Sequence, residues 1–278
     1  MQTIESLKNE INSIGELQDI SEALEQIAAK EIVLARKKIL TQRKFFEETW
    51  KIYGILRDLV SLPASVKNKD LVVIITLNRG MYGNLLNKVC QTGEEAAKKY
   101  QADILITGKK GQNIFLNRED KTVHFFSVPN EVTYEQMEPL KDIAAGYARV
   151  HVVYPRYITT INQEVKTVSL ISKQKDDESE DRSLENFVLS KRYKLEPDLQ
   201  SVVDYFNKAI VGLMLYGFFS ESILAYNAAQ MVAMRNAHEN AEEIKIKTTI
   251  KYHKKRREIV DIKLRDLYKI RFMAREAV

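Results

Sequence analysis

All five prolines, Pro63, Pro129, Pro139, Pro155 and Pro197, fall in the middle of the chain, leaving proline-free arms at 1–62 and 198–278. Proline removes a backbone donor and clashes with the preceding helical turn, so long helices avoid it. The arms are rich in Ala, Leu, Glu, Lys and Arg, which are good helix formers. At ~1.5 Å rise per residue, arms of about 60 and 80 residues reach roughly 90 and 120 Å. Helices of that length outrun a globular core, so they must bury their apolar faces against each other or against a partner.

The N-terminal arm carries apolar residues at steps of three and four: Ile4, Leu7, Ile11, Ile14, Leu17, Ile20, Leu24, Ile27 and Ala28. This spacing predicts one helical stripe. The C-terminal arm repeats the pattern less regularly, through Val202, Phe206, Ile210, Leu213, Met231, Met234, Ala241, Ile244, Ile259, Ile262 and Ile270. Around Ala228 to Glu243 it becomes rich in alanine, a slim face that lets a second helix approach closely.

The middle of the chain has a different pattern. The β-branched run Leu71 to Thr76 predicts a strand buried on both faces, followed by a helix over Asn84 to Lys99. Asp103 to Thr107, Arg149 to Tyr154 and Val165 to Ser172 predict further strands, the last nearer an edge. Strand, helix, strand with short connections implies a parallel layer. The polar, acidic run 174–181 reads as a mobile loop. The predicted fold class is therefore α/β with long helical arms. A small Rossmann-like domain at 63–197 is inserted between helices at 1–62 and 198–278, which pair as an antiparallel coiled coil.

Two glycine turns invite a phosphate-binding reading, because glycines let backbone amides approach an anion at a helix start. The first, Asn78 to Asn84, contains Arg79, Gly80 and Gly83; the second, Thr107 to Gly111, contains Gly108 and Gly111. Neither has the Lys-Ser/Thr ending of a P-loop or the three-glycine dinucleotide spacing. No acid follows the second strand to hold a ribose. Both read as tight turns, the second with solvated lysines. A nucleotide-binding α/β enzyme is the weaker alternative.

His124, His151, His238 and His253 are scattered, without metal-ligand spacing, and read as surface or capping residues. Cys90 is the single cysteine, which excludes an intrachain disulfide and fits a reducing compartment. No basic stretch followed by an apolar run opens the sequence, so no secretory leader is expected. The most apolar stretch, Ala209 to Phe219, is too short to span a bilayer.

Formal charge is only +5, but it is organised. Glu5, Glu10, Glu16, Asp19, Glu22 and Glu25 face Lys8 alone in the first 26 residues, whereas 251–275 holds ten basic residues and three acids. The arms read as matched partners, or the basic tip as an insert into an acidic sleeve. The tip has too few stacking aromatics (Tyr252, Tyr268, Phe272) to promote nucleic-acid binding.

These residues resemble one family along nearly the whole chain, the gamma subunits of F-type ATP synthases. Thr76-Leu77-Asn78-Arg79-Gly80-Met81-Tyr82-Gly83-Asn84-Leu85 is similar to that family's strand-to-helix turn, and Gly108 to Phe115 to its second glycine segment. Tyr193 to Pro197 resembles the approach to its final helix, and Met231-Val232-Ala233-Met234-Arg235-Asn236-Ala237 with Asn240 resembles its most specific signature. The resemblance implies a shaft without a catalytic site or cofactor, turning inside a ring of alternating alpha and beta subunits. Its foot would join epsilon and the c-ring at the cytoplasmic face of the membrane, with no membrane insertion of its own. The implied subunit contacts are Leu24, Glu25, Gln230, Met231, Met234, Arg235, Asn236, Arg256, Arg257 and Asp261.

Several of these positions depart from the family pattern. Asp19 and Glu22 stand where lysines are usual, Leu24 where methionine is, and Gln230 where arginine precedes the signature. Arg257, Asp261 and Lys263 replace Gln, Thr and Glu. The departures fit a divergent or second-copy motor, or, as an alternative, a gamma-like shaft of a specialised ATPase that does not synthesise ATP.

Overall fold

The computed structural model describes residues 3–59, 67–116, 123–128, 132–171 and 199–276. The acidic run at 174–181, the segment 193–197 and the points where the arms join the middle lie outside these residues. Helix α1 (Ile4–Leu59) leads to strand β1 (Lys67–Ile74), helix α2 (Leu85–Tyr100), strand β2 (Asp103–Thr107) and helix α3 (Lys109–Phe115). Strand β3 (Val123–Phe126), a 3-10 turn (Glu135–Met137), helix α4 (Glu138–Ala145), strands β4 (Tyr147–Tyr157) and β5 (Gln163–Ile171) and helix α5 (Leu199–Glu276) complete the chain. The protein is an α/β structure with long terminal helices and a mixed sheet.

The sheet runs in the order β3-β2-β1-β4-β5. Strands β1, β2, β3 and β4 are parallel, and β5 returns antiparallel beside β4 at the edge. The layer is therefore mixed, because the five residues 158–162 between β4 and β5 leave no room for a crossover helix. Leu71 to Ile75 are fully buried, as the β-branched run predicts. Side chains alternate across a strand, so Leu71, Val73 and Ile75 face one cluster and Val72 and Ile74 the other. Met137, Leu140 and Ala144 cover the first face, and Leu85, Val89, Cys90, Ala96 and Ala97 of α2 cover the second. Helix α5 contributes to both: Val211, Leu215 and Phe219 to the first cluster, Tyr226 and Ala229 to the second.

Three features differ from the sequence expectations. The turn expected at Gly108 to Gly111 is the first turn of α3, and Gly111 lies buried within it. Strand β3 and helix α4 fall where the sequence offered no periodicity. His151, expected at the surface, is buried, because it sits on β4 between β1 and β5.

The chain divides into two compact units, one of Met1–Ile27 with Met231–Val278, the other of Ala28–Gln230. In the first unit, buried residues recur at steps of seven: Leu7, Ile14 and Ser21 on α1, and Met234, Ala241 and Thr248 on α5. The two helices touch there, with Lys245 Nζ donating to Gln18 Oε1 at 2.8 Å and His238 Nδ1 lying 3.3 Å from the Gln18 carbonyl. The predicted stripe on α1 is thus wider than the surface that α5 covers. Leu17, Ile20 and Ile27 are exposed, while the small Ser21 is buried in their place. Ion pairs described on this part of α5 run along the helix: Arg235 to Glu239, Lys247 to Glu243 and Lys255 to Glu258.

Candidate functional site

The strand-to-helix turn after β1 is held by a dense set of hydrogen bonds. Thr76 N donates to Thr107 Oγ1 at 3.0 Å, and the Thr76 hydroxyl donates to the Thr107 carbonyl. Asn78 Nδ2 donates to the Val128 carbonyl, while its Oδ1 accepts from Lys109 N at 3.0 Å. Lys110 N donates to the Leu77 carbonyl at 3.4 Å and Gly111 N to Thr76 Oγ1 at 3.1 Å. The first amides of α3, which an anion would need, are therefore already taken up by the protein.

Glycine is required at two of these positions. Gly108 has φ +78, and a Cβ there would lie 2.5 Å from the Thr76 carbonyl oxygen. A Cβ on Gly111 would lie 2.3 Å from Thr76 Oγ1. Their reason is close packing of α3 on the end of β1, rather than approach to a ligand. Gly80 and Gly83 belong to the open side of the turn, where Met81 holds φ 68 beside Gly83 at φ 57. Arg79 reaches Glu31 of α1, with Nη1 and Oε1 2.5 Å apart.

The remaining sequence-predicted residues lie on the long helices. Gln230 and Met234 are buried, Leu24, Glu25 and Met231 are half-buried, and Arg235, Asn236, Arg256, Arg257 and Asp261 are exposed. From Lys251 onward α5 is almost entirely open, and Val260, Ile262, Leu264, Leu267, Tyr268 and Ile270 present large apolar side chains to solvent. These six large apolar side chains stand exposed on successive turns of α5.

A polar cluster that sequence reasoning missed sits at the other end of the sheet. Asp70 of β1 turns Oδ2 toward His151 Nε2 at 3.6 Å, and neither atom has a hydrogen-bond partner. His151 Nδ1 hydrogen-bonds Ser169 Oγ of β5 at 2.8 Å, and the imidazole stacks on Tyr100 of α2 at 3.8 Å. Arg149 Nε donates to Asp70 Oδ1 at 3.1 Å. Alternation along β4 could have flagged His151, since Val150 and Val152 bracket it on a central strand. Among the described residues, no group of three or more His, Cys, Asp and Glu side chains could hold a metal ion.

Burial lowers the His151 pKa below its ordinary 6.5; the Asp70 carboxylate opposes this, and Arg149 and Lys99 add to it. A depressed histidine pKa means the unfolded chain takes up the proton first. Stability is therefore full above about pH 6.5 and falls as pH drops below it, by at most about 1.4 kcal/mol per pH unit for one proton. Urea denaturation of wild type and His151→Gln from pH 7.5 to 5 checks this. The variant is expected to lose part of the slope, and equal slopes would remove His151 from the account.

The fold places the chain among proteins that carry an α/β unit between two long terminal helices. The ATP synthase family model matches residues 3–267, and the protein belongs to that family. The ATP synthase gamma chain of Mycoplasmopsis pulmonis is 28% identical over 271 residues, covering 92% of this chain and 94% of the relative. That of Halothermothrix orenii is 27% identical, covering 92% and 93%. The rotor of the Euglena gracilis mitochondrial ATP synthase shares the fold, with a TM-score of 0.72 at 16% identity over 92% of this chain and 98% of that one. The central stalk of the Tetrahymena thermophila mitochondrial ATP synthase gives 0.61 at 18% identity, over 78% and 99%.

Proposed function

We propose that this chain is the gamma subunit, the central rotor shaft, of an F-type rotary ATPase, and that it carries no catalytic site itself. Residues 1–62 and 198–278 form the shaft, and 63–197 the Rossmann-like α/β domain. The seven-residue burial steps on α1 and α5 support an antiparallel coiled coil, since a repeat of seven keeps one seam facing a partner helix. The observation that carries the reading is the exposed apolar and basic end of α5 on a chain matched to the family over residues 3–267.

On this reading the tip enters the ring of alternating alpha and beta subunits, while the α/β domain meets epsilon and the c-ring. Leu24, Glu25, Gln230, Met231, Met234, Arg235, Asn236, Arg256, Arg257 and Asp261 belong to the subunit contacts. A rotor shifts a catalytic site only by touching its alternative states unequally, and an asymmetric helix pair does this at each angle. Among the described residues no helix is long and apolar enough to cross a membrane. Attachment at the cytoplasmic face is therefore through the membrane sector's own subunits.

Co-expression with the alpha and beta homologues of the same genome tests the reading. One copy per ring, and ATPase activity that requires the chain, is the expected result. A ring that assembles and hydrolyses ATP equally well without it would sink the proposal. The charge of the tip gives a sharper check. Arg256→Glu with Arg257→Glu is expected to weaken assembly most at low ionic strength, because exposed charges are screened beyond about 10 Å at 0.1 M salt. Assembly measured across salt concentrations and unchanged by the substitutions would remove these arginines from the contact.

A further inference from the structure

In an open sheet with helices on both faces, ligands usually sit outside the carboxyl ends of the strands, where the strand order changes direction. Here the order reverses between β1 and β4. That end of β1 is occupied by the chain itself. The Tyr226 hydroxyl of α5, fully buried, donates to the Ile75 carbonyl at 3.1 Å. Its ring lies against Tyr82, with centroids 4.6 Å apart. The same turn that supplies Tyr82 supplies Arg79, which holds Glu31 of α1. Asn78, one residue earlier, ties the turn to the Val128 carbonyl and to α3. Burial raises both phenols above their ordinary range, so Tyr226 remains a donor throughout the working pH range.

We propose that Tyr226 and Arg79 are positioning residues that lock α5 and α1 to the end of β1, so that both helices turn with the sheet. This rests on the rotor reading above. Apolar packing is non-directional and lets a helix slide along a surface, whereas a hydrogen bond fixes one register. The distinction matters at this joint. A cavity of about 470 Å3 lies beside it, lined by Glu31, Leu34, Leu77, Arg79, Tyr82 and Asn227 among others, so the Arg79–Glu31 pair stands at a gap that packing does not fill. The Arg79 and Glu31 side chains are 53% and 31% exposed, which makes their pair a weak contributor to stability. Its role is direction, and loss of direction shows in coupling before it shows in melting.

The test uses the assembled complex in vesicles, with ATP hydrolysis and ion pumping measured together. Tyr226→Phe keeps the ring and removes the hydroxyl. Arg79→Glu breaks the ion pair, and Arg79→Glu with Glu31→Arg restores it with reversed polarity. Loss of one buried hydrogen bond raises the slipped population about five- to thirtyfold. Tyr226→Phe is therefore expected to lower ions pumped per ATP severalfold while hydrolysis continues, Arg79→Glu, which exchanges an exposed ion pair for like charges, by a smaller factor of about two to five, and the charge swap to recover the ratio. Hydrolysis and pumping that fall in proportion, or a ratio unmoved in every variant, would overturn the proposal. A Tyr226→Phe chain that does not fold leaves the decision to the swap pair. Hydrogen exchange on the isolated chain is independent of any partner. Faster exchange of the α5 amides around Tyr226 in the Phe variant is expected, and unchanged exchange would overturn the lock even if the wild-type chain fails to join a ring.

Discussion

Gly108→Ala is expected to lower the stability of the Ala28–Gln230 unit by about 2–6 kcal/mol, measured as a shift in the urea midpoint at unchanged slope. Two costs add. At φ +78 an L-residue is strained by roughly 1–3 kcal/mol, and overpacking a filled site adds about 1–3 kcal/mol. The clash cannot be relieved by a side-chain rotation, because the atoms met are the Thr76 carbonyl oxygen at 2.5 Å and the Leu77 carbonyl carbon at 2.8 Å. Thr76 cannot retreat either, since its amide and hydroxyl are both bonded to Thr107. Against a total stability of about 5–15 kcal/mol, such a loss removes a large fraction of what holds the chain folded. Gly80→Ala is the matched control. Its Cβ meets only the far end of the Lys110 side chain at 3.1 Å, and the expected effect is about 0.5 kcal/mol or less. Equal losses in the two variants would mean that the second glycine segment does not pack on β1 as described.

The two glycine turns look alike in the sequence, and that is a fair measure of what the sequence holds. Each reads as a strand followed by glycines and a helix. That Gly111 packs on Thr76 while Gly80 faces the Lys110 side chain depends on contacts 30 or more residues apart. Strong local signals were legible: the run Leu71 to Ile75, the 16 residues of α2 and the long arms all appear where spacing put them. Weak local signals were not. Strand β3 has four residues, and its partner is fixed only by the sheet. Helix α4 has eight, opened by Pro139, and its amphipathic face is too short to stand out. On α1 the period was right but the width was wrong. A stripe of Ile and Leu cannot show which of its members the partner helix covers, and a serine at the correct seven-residue step is invisible to a hydrophobicity count. Tyr226 stands two residues before the alanine-rich stretch, and its hydrogen-bond partner is 151 residues away. The contact residues on the tip are legible only as a family resemblance, because one chain alone does not show what its exposed face meets.

Phe219→Ala tests how the long helix is held, and its expected cost is about 3–5 kcal/mol in the isolated chain. The stretch Ala209 to Phe219 is the most apolar in the sequence, yet too short for a bilayer, and the fold shows its use. Val211, Leu215 and Phe219, spaced four apart, form one stripe of α5 against Leu71, Val73, Ile75, Met137 and Leu140. Phe219 is fully buried there, and its removal leaves a cavity that a sheet held by three parallel ladders cannot close. The contrast with Ile262 separates folding from assembly. Ile262 is 54% exposed, so Ile262→Ala is expected to change the isolated chain's stability by no more than about 0.5 kcal/mol. In the assembled ring the order of severity for binding should reverse. Ile262→Ala loses buried apolar area at the partner surface, whereas a Phe219→Ala chain that still folds presents the same tip. Urea melts of the free chain, set beside affinity for the ring, read the two effects separately. An Ile262→Ala chain that melts early would show that the end of α5 is covered by its own chain, and one that binds the ring as tightly as wild type would show that Ile262 lies outside the contact.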